Sequence, residues 1–453
     1  MARIGIIGGG PGGLMTAELL ERRYGDACTV TIFEASERVG GKLQTCSFAR
    51  EPVSYEAGAA ELYDYSAIGD DPLRTLVTDL GLGVRPLDGK TVILRDTILR
   101  NDADLARRWG EPTLEAVRDF RRRAAELLPI ELWHPESWKV DRDHPWARRT
   151  CDELLDTVAD PVAREYLRVA AHSDLATEPH LTSGLNGLKN FVMDVPGYVA
   201  CGSVQGGMSQ LAERLVARIP DARIELGARV ARVEADGHQY RICYVRDGGR
   251  RVTEADAVVC ALPLIQLAAV EFAGEPLRRS VAAHVARFDR LGHYLRVSIL
   301  FREPFWRGHL EGSWFMLDAF GGTCVYDESA RFDVSRRGVL GFLLAGSDAL
   351  RMANATDEQL VRGVLEALPP PLPQDAARGL MEARVHRWCG GVSAEPGGLP
   401  AADPVAGHRP GGERLGGLLL VGDYLFDSTL NGVHRSASLA ADLLASRLLA
   451  TAA

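Results

Sequence analysis

The chain has 453 residues and a mass of 49.2 kDa, a length that favours two or three interleaved domains over a single core. Apolar residues make up 46% and charged residues 25%, as in ordinary globular proteins. The 52 basic groups against 61 acidic groups give a net charge of −9, which disfavours nucleic acid as the main partner and also disfavours a polybasic membrane anchor.

No run of 18 or more apolar residues occurs, so the sequence predicts no integral membrane segment. The eight cysteines include no C-x-x-C pair, and the eleven histidines include no pair four residues apart. This pattern disfavours a metal site or a disulfide framework. We therefore expect reduced thiols and a cytoplasmic protein.

The amino terminus has the pattern of a nucleotide-binding βαβ unit. Its parts follow in order: a strand at Arg3–Ile7, a glycine loop at Gly8–Gly13, a helix at Leu14–Arg23, a strand at Cys28–Phe33 and an acid, Glu34. Gly8 permits the tight turn, Gly10 lets the backbone approach a pyrophosphate, and Gly13 allows close packing of the helix on the strand. The helix start offers free N–H groups to phosphate, and Glu34 is spaced to accept hydrogen bonds from a ribose.

The residues that follow indicate which dinucleotide is bound. The segment from Glu34 to Lys42 resembles the E-x-x-x-x-x-G-G-[RK] extension of the flavin-containing amine oxidase and phytoene desaturase superfamily. The loop from Tyr55 to Glu61 resembles the D-x-G-x-x loop beside the flavin ring in that superfamily, with Glu56 in place of the usual aspartate. The resemblance implies FAD as cofactor. The alternative is an ordinary Gly-Gly turn with a solvated Lys42.

The resemblance extends to the carboxyl end, where a buried strand at Leu418–Val421 precedes Gly422, Asp423 and a helix that runs to Leu449. There Asp423 would bind the ribityl chain, and the helix start at Val433 would face flavin N1 and O2. The alternative is that Asp423 only caps the helix. Carried over position by position, the resemblance implies these FAD-binding residues: Gly8, Gly10, Pro11, Gly12, Gly13, Glu34, Ala35, Gly41, Lys42, Gly58, Ala59, Ala60, Val230, Ala261, Gly422, Asp423, Asn431, Gly432 and Val433.

Three residues are candidates for the chemistry. Counting back from Pro304-Phe305-Trp306 places Arg296 where related amine oxidases carry a lysine facing flavin N5, so it would anchor substrate or stabilise charge there. Trp388 resembles the tryptophan beside the flavin, and Glu61 is the best candidate for an acid or base. The alternatives are a salt-bridged Arg296 and a Glu61 bonded to backbone N–H groups.

Two further comparisons with the superfamily concern the ring environment. The positions of the usual aromatic cage are Gly398 and Thr429, so a simple small amine is disfavoured unless Tyr424 or Phe426 substitutes. No cysteine lies near Gly397, which predicts non-covalent FAD. His434 follows the helix-start motif and either contacts the ring or caps the helix.

The sequence therefore predicts an α/β fold, with a discontinuous Rossmann-type FAD-binding domain and a mixed sheet-plus-helix substrate domain. The predicted boundaries are FAD binding at 1–69, 195–265 and 386–453, a helical insertion at 70–194, and a substrate-domain sheet with helices at 266–385. Within these parts, the sequence predicts a helix over Asp152–Ala171, a hairpin from Ser313 to Tyr326, a helix over Asp357–Leu368 and a stiff proline-rich connector at 369–373. Oligomeric state is left open.

The predicted activity is hydride transfer from a C–N bond of an amine, amino acid or amide-like metabolite to flavin N5, with O2 as acceptor and a specialised, secondary-metabolic substrate. One alternative is a C–C desaturase of the phytoene desaturase type. A more remote one is a non-catalytic binding protein of the same fold, similar to GDP-dissociation inhibitors.

Overall fold

The computed structural model describes residues 1–133, 143–193, 198–236, 239–332, 334, 336–398 and 403–452. The strands are β1 (Ala2–Ile7), β2 (Cys28–Phe33), β3 (Thr45–Ser47), β4 (Ser54–Glu56), β5 (Leu62–Asp64), β6 (Val84–Pro86), β7 (Thr91–Leu94), β8 (Thr97–Leu99), β9 (Ala200–Val204), β10 (Arg223–Glu225), β11 (Arg229–Asp236), β12 (Gln239–Arg246), β13 (Gly249–Ala255), β14 (Ala257–Cys260), β15 (Glu271–Ala273), β16 (Leu291–Phe301), β17 (Trp314–Leu317), β18 (Thr323–Asp327), β19 (Gly338–Ala345), β20 (Leu380–Ser393) and β21 (Leu418–Leu420).

The α-helices are α1 (Pro11–Tyr24), α2 (Pro72–Asp79), α3 (Asp102–Trp109), α4 (Glu111–Leu127), α5 (Ile130–Trp133), α6 (Cys151–Leu155), α7 (Pro161–Leu175), α8 (Gly184–Met193), α9 (Ser209–Ala217), α10 (Leu264–Leu267), α11 (Glu275–Arg287), α12 (Glu328–Arg331), α13 (Gly346–Met352), α14 (Asp357–Glu366), α15 (Leu372–Gly379), α16 (Pro404–His408) and α17 (Leu430–Ala452). Short 3-10 turns occupy Gly25–Ala27, Pro145–Arg148, Pro179–Leu181, Ala319–Gly321, Gly412–Leu415 and Asp423–Leu425.

A five-stranded parallel sheet, in the order β10-β2-β1-β14-β21, forms the centre of the nucleotide-binding half. In its central strands, Ile4–Ile7 of β1 and the whole of β14 are apolar and buried, because helices and a second sheet cover both faces. Helices α1 and α17 pack together on one face, in one core with α9. A four-stranded sheet, β13-β12-β11-β15, supplies the side chains that cover the other face.

A seven-stranded mixed sheet, in the order β20-β16-β19-β18-β17-β7-β8, forms the other half. Helices α4, α7 and α8 pack on part of it, while α14 and α15 pack against β16. The long strands β16 and β20 run antiparallel and bring Tyr294 opposite Trp388, and Arg296 opposite His386. This pairing delivers residues from distant parts of the chain to the boundary between the two halves.

The predicted fold class is confirmed by this architecture. The predicted hairpin between Ser313 and Tyr326 forms as β17 and β18, and the predicted helix from Asp357 forms as α14. Two local predictions are wrong. The predicted helix over Asp152–Ala171 is interrupted, because Asp160 caps a new helix at Pro161. The proline-rich segment expected as a connector contributes the first turn of α15 instead.

Candidate active site

A cavity of about 400 Å³ lies where the carboxyl ends of β1, β14 and β21 meet the start of α1, at the edge of the sheet where nucleotides bind in this type of fold. Helix α1 begins without a side-chain cap, so its first N–H groups are available to an anion. The lining of the cavity includes eleven of the predicted cofactor residues: Gly8, Gly10, Pro11, Gly12, Glu34, Gly41, Lys42, Ala261, Gly422, Asp423 and Val433.

Glu34 stands at the end of β2 with both carboxylate oxygens directed to local donors. Oε2 accepts from the Gly9 N–H at 2.8 Å, and Oε1 accepts from the N–H and hydroxyl of Ser36, both at 2.8 Å. These bonds fix the carboxylate at the cavity wall, where it has lone pairs to spare for a ribose.

Lys42 links the first and last motifs across the cavity. Its ammonium donates to the carbonyl of Gly391 and lies 3.9 Å from Oδ2 of Asp423. The Asp423 carboxylate also accepts from the Ser393 N–H at 3.2 Å. The acid therefore lines the cavity and is held by β20, so it does more than cap α17.

The glycines divide into those that leave space and those that permit contact. A Cβ on Gly13 would lie 2.0 Å from the carbonyl oxygen of Gly8, and a Cβ on Gly58 would lie 2.0 Å from that of Lys42. These two positions permit close backbone packing. In contrast, a Cβ on Gly10 would meet nothing nearer than 3.9 Å, so this residue keeps the cavity open for a phosphate group. The cradle therefore fits a dinucleotide.

Eight predicted cofactor residues are not among those that line this cavity: Gly13, Ala35, Gly58, Ala59, Ala60, Val230, Asn431 and Gly432. The side chain of Asn431 points to the opposite side of the helix start and donates to Asp71 at 3.2 Å. Gly432 packs against the backbone of Asp427, where a Cβ would approach the carbonyl oxygen to 2.2 Å. For these last two, the structure gives a packing role rather than a side-chain contact to the cofactor.

Trp388 belongs to β20 of the mixed sheet and faces this cavity. It lines the cavity, its indole N–H donates to the Ala57 carbonyl at 2.7 Å, and its ring faces Gly58. Tyr294 lies opposite it on β16 and donates to the Ser173 carbonyl at 2.8 Å. We call the cavity described so far the glycine-lined cavity. Trp388 and Tyr294 connect it with a second group of polar side chains, whose charges act on Tyr294.

We define the polar chamber by Glu61, Tyr63, Asp174, Tyr294 and Tyr326. The Tyr63 hydroxyl donates to Glu61 Oε2 at 3.2 Å. Asp174, at the end of α7, is exposed to solvent. The three phenols, Tyr63, Tyr294 and Tyr326, are half-buried or buried. Burial, together with the negative charge of Glu61 and Asp174, raises the pKa of all three phenols well above their usual range. The chamber is therefore a region of negative potential with neutral phenols.

Arg296 has the salt-bridged arrangement that stands as the alternative to the substrate-anchoring role implied by the resemblance. Its side chain is 1% exposed and is ion-paired with Glu328, which is fully buried. It also donates to the Gly58 carbonyl at 3.1 Å and stacks over the Tyr326 ring at 4.9 Å. Arg296 is thus engaged by Glu328 and by the backbone of the loop at Gly58, which it holds in place.

Arg331 makes a matching contact from α12. Its Nε lies 2.9 Å from Oε2 of Glu328, and its Nη1 donates to the Ala60 carbonyl. One carboxylate therefore bridges two buried guanidinium groups, and both arginines hold carbonyls of the loop that leads to Glu61. We call Arg296, Glu328 and Arg331 the arginine clamp.

Glu56 lies beneath the arginine clamp and is fully buried. Its Oε1 accepts from the Met208 N–H at 2.9 Å, and its carboxylate also accepts from the Thr45 hydroxyl. Burial and the negative charge of Glu328 raise the pKa of Glu56 to about 7. This carboxyl group joins the start of α9 to the loop beside the cavity.

A further acidic group, Asp427, lies on the loop that leads into α17. It accepts from the Tyr65 hydroxyl at 3.3 Å, and burial raises its pKa. Lys189 lies near enough to oppose that rise, and Asp423 near enough to add to it. Thr429, one of the two positions compared with the aromatic cage, lies beside Asp427, and a side-chain hydrogen bond between them also opposes the rise in the pKa of Asp427.

Several of these residues carried no recognisable signal in the sequence. Asp174, Glu328 and Arg331 belong to no motif, and only the folding of α7 and α12 against β16 and β18 brings them to the site. Within the described residues, no group of His, Cys, Asp and Glu side chains is arranged to hold a metal ion, and no helix is long and apolar enough to cross a membrane.

The parallel sheet, the glycine loop and the cavity define a dinucleotide-binding protein of the Rossmann type. Residues 11–445 match the family described as flavin containing amine oxidoreductase, and the chain belongs to this family. FAD is accordingly its cofactor, and the residues around the glycine-lined cavity are those that would hold it.

Relatives within the family differ in the substrates that their names state. The coproporphyrinogen III oxidase of Mycobacterium tuberculosis is 28% identical over 298 residues, which cover 58% of this chain and 59% of that relative. Human amine oxidase [flavin-containing] B is 22% identical over 85% of this chain and 73% of its own length. The solved structure of putrescine oxidase bound to putrescine has a TM-score of 0.75 at 20% identity, with 98% of this chain and 99% of that chain covered. This last likeness establishes the fold.

Proposed function

We propose that the chain oxidises a C–N bond of a cationic amine, which it binds in the polar chamber. The observation that carries this proposal is the charge of that chamber. Glu61 and Asp174 act on the same three phenols, while Glu328 pairs with both arginines of the arginine clamp and offsets one of their two positive charges. A substrate that enters this region meets the negative potential of Glu61 and Asp174, and an ammonium group is the chemistry that matches it.

FAD, when bound, supplies a hydride acceptor at N5 that O2 can then reoxidise. The chain itself has three tasks. Glu61 and Asp174 bind the ammonium group, and Glu61 accepts the proton that the nitrogen must lose before the adjacent carbon can release a hydride. The Tyr63 hydroxyl orients that carboxylate through its bond to Oε2.

Trp388 and Tyr294 limit the access of water to the boundary between the chamber and the cavity. Release of a proton and a hydride from R–CH2–NH3⁺ gives an iminium ion, which water hydrolyses to an aldehyde and ammonium. The lack of aromatic residues at Gly398 and Thr429 favours a substrate with polar substituents over a plain alkylamine, as expected from the sequence.

A second candidate is oxidation of a porphyrinogen or another C–C desaturation, because the relative with 28% identity is named coproporphyrinogen III oxidase. Coproporphyrinogen III carries carboxylates, and the acidic side chains of the polar chamber would repel them. The charge of the chamber therefore favours the amine.

The test is the absorbance of the purified holoenzyme during anaerobic addition of cationic amines, neutral amides and coproporphyrinogen III. Bleaching by an amine and return of colour in air supports the proposal, whereas bleaching by the porphyrinogen alone overturns it. The Glu61→Gln variant should lower kcat/KM for the amine by about 10- to 100-fold, the value of a charge-assisted hydrogen bond. The matched control is Glu115→Gln on the exposed face of α4, which should leave kcat/KM unchanged.

A further inference from the structure

A second open space lies on the other side of the start of α17. We call it the outer groove. Its volume is about 1070 Å³, and it runs between α1, α2, α16 and α17. None of the residues that line it lines the glycine-lined cavity, so it is separate from the cofactor site. Along one wall it is apolar, with Leu73, Leu76, Val405, Phe426 and Leu439.

The charge of the outer groove is negative. The carboxylates of Asp70, Asp79 and Asp403 are exposed and make no ion pair within the described part of the chain. Asp71 differs, because its oxygens are taken up by the N–H groups of Tyr65 and Arg74 as the cap of α2.

The arginines of the outer groove are engaged by the protein itself. Arg22 is paired with Glu18 at 3.1 Å, and Arg23 donates to the Ser438 hydroxyl at 3.1 Å and pairs with Asp442. Arg435 lies 4.8 Å from the centre of the Phe426 ring. An anion that enters would have to displace these contacts, whereas a cation meets carboxylates that make no ion pair, of which Asp403 accepts the Val405 N–H at 2.9 Å as the cap of α16.

His434 gives an independent indication that the outer groove is built to take a ligand. Its side chain is 7% exposed, lines the groove and has no hydrogen-bond partner among residues 1–133, 143–193, 198–236, 239–332, 334, 336–398 and 403–452. Burial, and then the charges of Arg22 and Arg23, lower the pKa of His434 to about 4. At neutral pH the ring is uncharged and keeps a nitrogen lone pair that can accept a hydrogen bond. Asn431 lines the same groove, and its Oδ1 is buried and accepts no hydrogen bond within the described part of the chain. A buried acceptor that lacks a partner is costly, and a ligand that donates to it removes this cost.

We propose that the outer groove is a second binding site, for an organic cation with a flat apolar body. The cationic end is attracted by the combined negative charge of Asp70, Asp79 and Asp403, which line the groove at different points, and one of its N–H groups donates to His434. The apolar body lies along Phe426 and Leu439. This proposal does not depend on the activity proposed above. The outer groove shares no lining residue with the glycine-lined cavity, and no residue of the polar chamber lines it.

Benzamidine is a suitable probe, because it is a flat cation whose charged carbon carries no hydrogen and therefore cannot release a hydride to flavin. Holoenzyme is titrated calorimetrically at low ionic strength, and the flavin absorbance is recorded in parallel. Benzamide, which has the same shape but no charge, is the control ligand. We expect a binding event for benzamidine that leaves the flavin spectrum unchanged, since the groove lies outside the cofactor cavity.

The variants separate this site from general attraction to an acidic protein. Asp70→Asn/Asp79→Asn should weaken that event about tenfold, or about threefold for each exposed carboxylate removed. The matched control Glu358→Gln/Glu366→Gln changes the net charge by the same amount at exposed positions of α14. It should leave the affinity for benzamidine unchanged. His434→Phe should also weaken it, because the acceptor nitrogen is lost while a ring of similar size remains.

Equal affinity of the groove variant and the control variant for benzamidine overturns the proposal. Binding that always perturbs the flavin spectrum overturns it too, because the probe then occupies the polar chamber. Neither result bears on amine oxidation, which is read from bleaching and kcat/KM. Conversely, if no amine bleaches the holoenzyme but benzamidine binds without a change in the flavin spectrum, the proposal of the outer groove stands and the proposed amine oxidation is overturned.

Discussion

The arginine clamp makes a strong prediction about stability. In the variant Glu328→Gln, the fully buried carboxylate that bridges Arg296 and Arg331 becomes a neutral amide. Two buried guanidinium groups then lose their counter-ion, and Glu56 is the acid left beside them. Removing one partner of a buried ion pair costs about 3–5 kcal/mol, so we expect a loss of this size in the free energy of unfolding.

Urea unfolding, followed by circular dichroism on matched samples of wild type and variant, measures this loss. Glu51→Gln is the matched control, because the pair of Glu51 with Arg337 is about one-third exposed and screened by solvent, so its loss should leave the free energy of unfolding close to that of wild type. Adding Arg331→Met to Glu328→Gln should recover part of the loss, since one of the two unpaired cations is removed. A Glu328→Gln variant within 1 kcal/mol of wild type would refute the reasoning that the clamp is a tightly coupled buried pair.

Two other predictions concern the cofactor and pH. Gly10→Trp should abolish retention of FAD, because its side chain would occupy the cavity that Gly10 leaves open; a variant that purifies fully yellow contradicts this assignment. Glu56 has its pKa raised from about 4.5 to about 7 in the folded state, so its contribution to stability is fully present below pH 4.5 and is lost as the pH rises to 7. Glu56→Gln should therefore flatten the fall in stability between pH 5 and 7, by at most about 1.4 kcal/mol per pH unit, and an unchanged slope in urea titrations would exclude this carboxyl group as its source.

The cofactor half of the molecule was predictable because its signals are local. A glycine loop between a strand and a helix, and an acid at the end of the second strand, fix both the fold and the position of Glu34 from short stretches of sequence. The same applies to Asp423, which follows a buried strand directly. Both Glu34 and Asp423 line the glycine-lined cavity, and their contact with the cofactor stays a prediction.

The chemistry of the substrate half was less predictable because it depends on partners distant in sequence. Arg296 was found by its offset from Pro304, yet its role is decided by Glu328, which no offset indicates. Asp174 reaches the polar chamber only through the packing of α7. Likewise, Asn431 and His434 belong to a matched motif, but the helix turns their side chains towards the outer groove.

The parallel sheet has a consequence for the order in which the protein is made. Strand β21 lies beside β14, and α17 packs with α1 in one core, so the two ends of the chain complete a single structure. Contacts between segments so far apart carry a high entropic cost and form slowly. On the ribosome, the glycine loop is exposed long before the strand and acid that close its cavity have been synthesised. Capture of FAD is therefore a late event, and a chain that stops before Leu418 lacks Asp423 and the start of α17. Flavin content in a preparation thus reports the fraction of chains that were completed and closed.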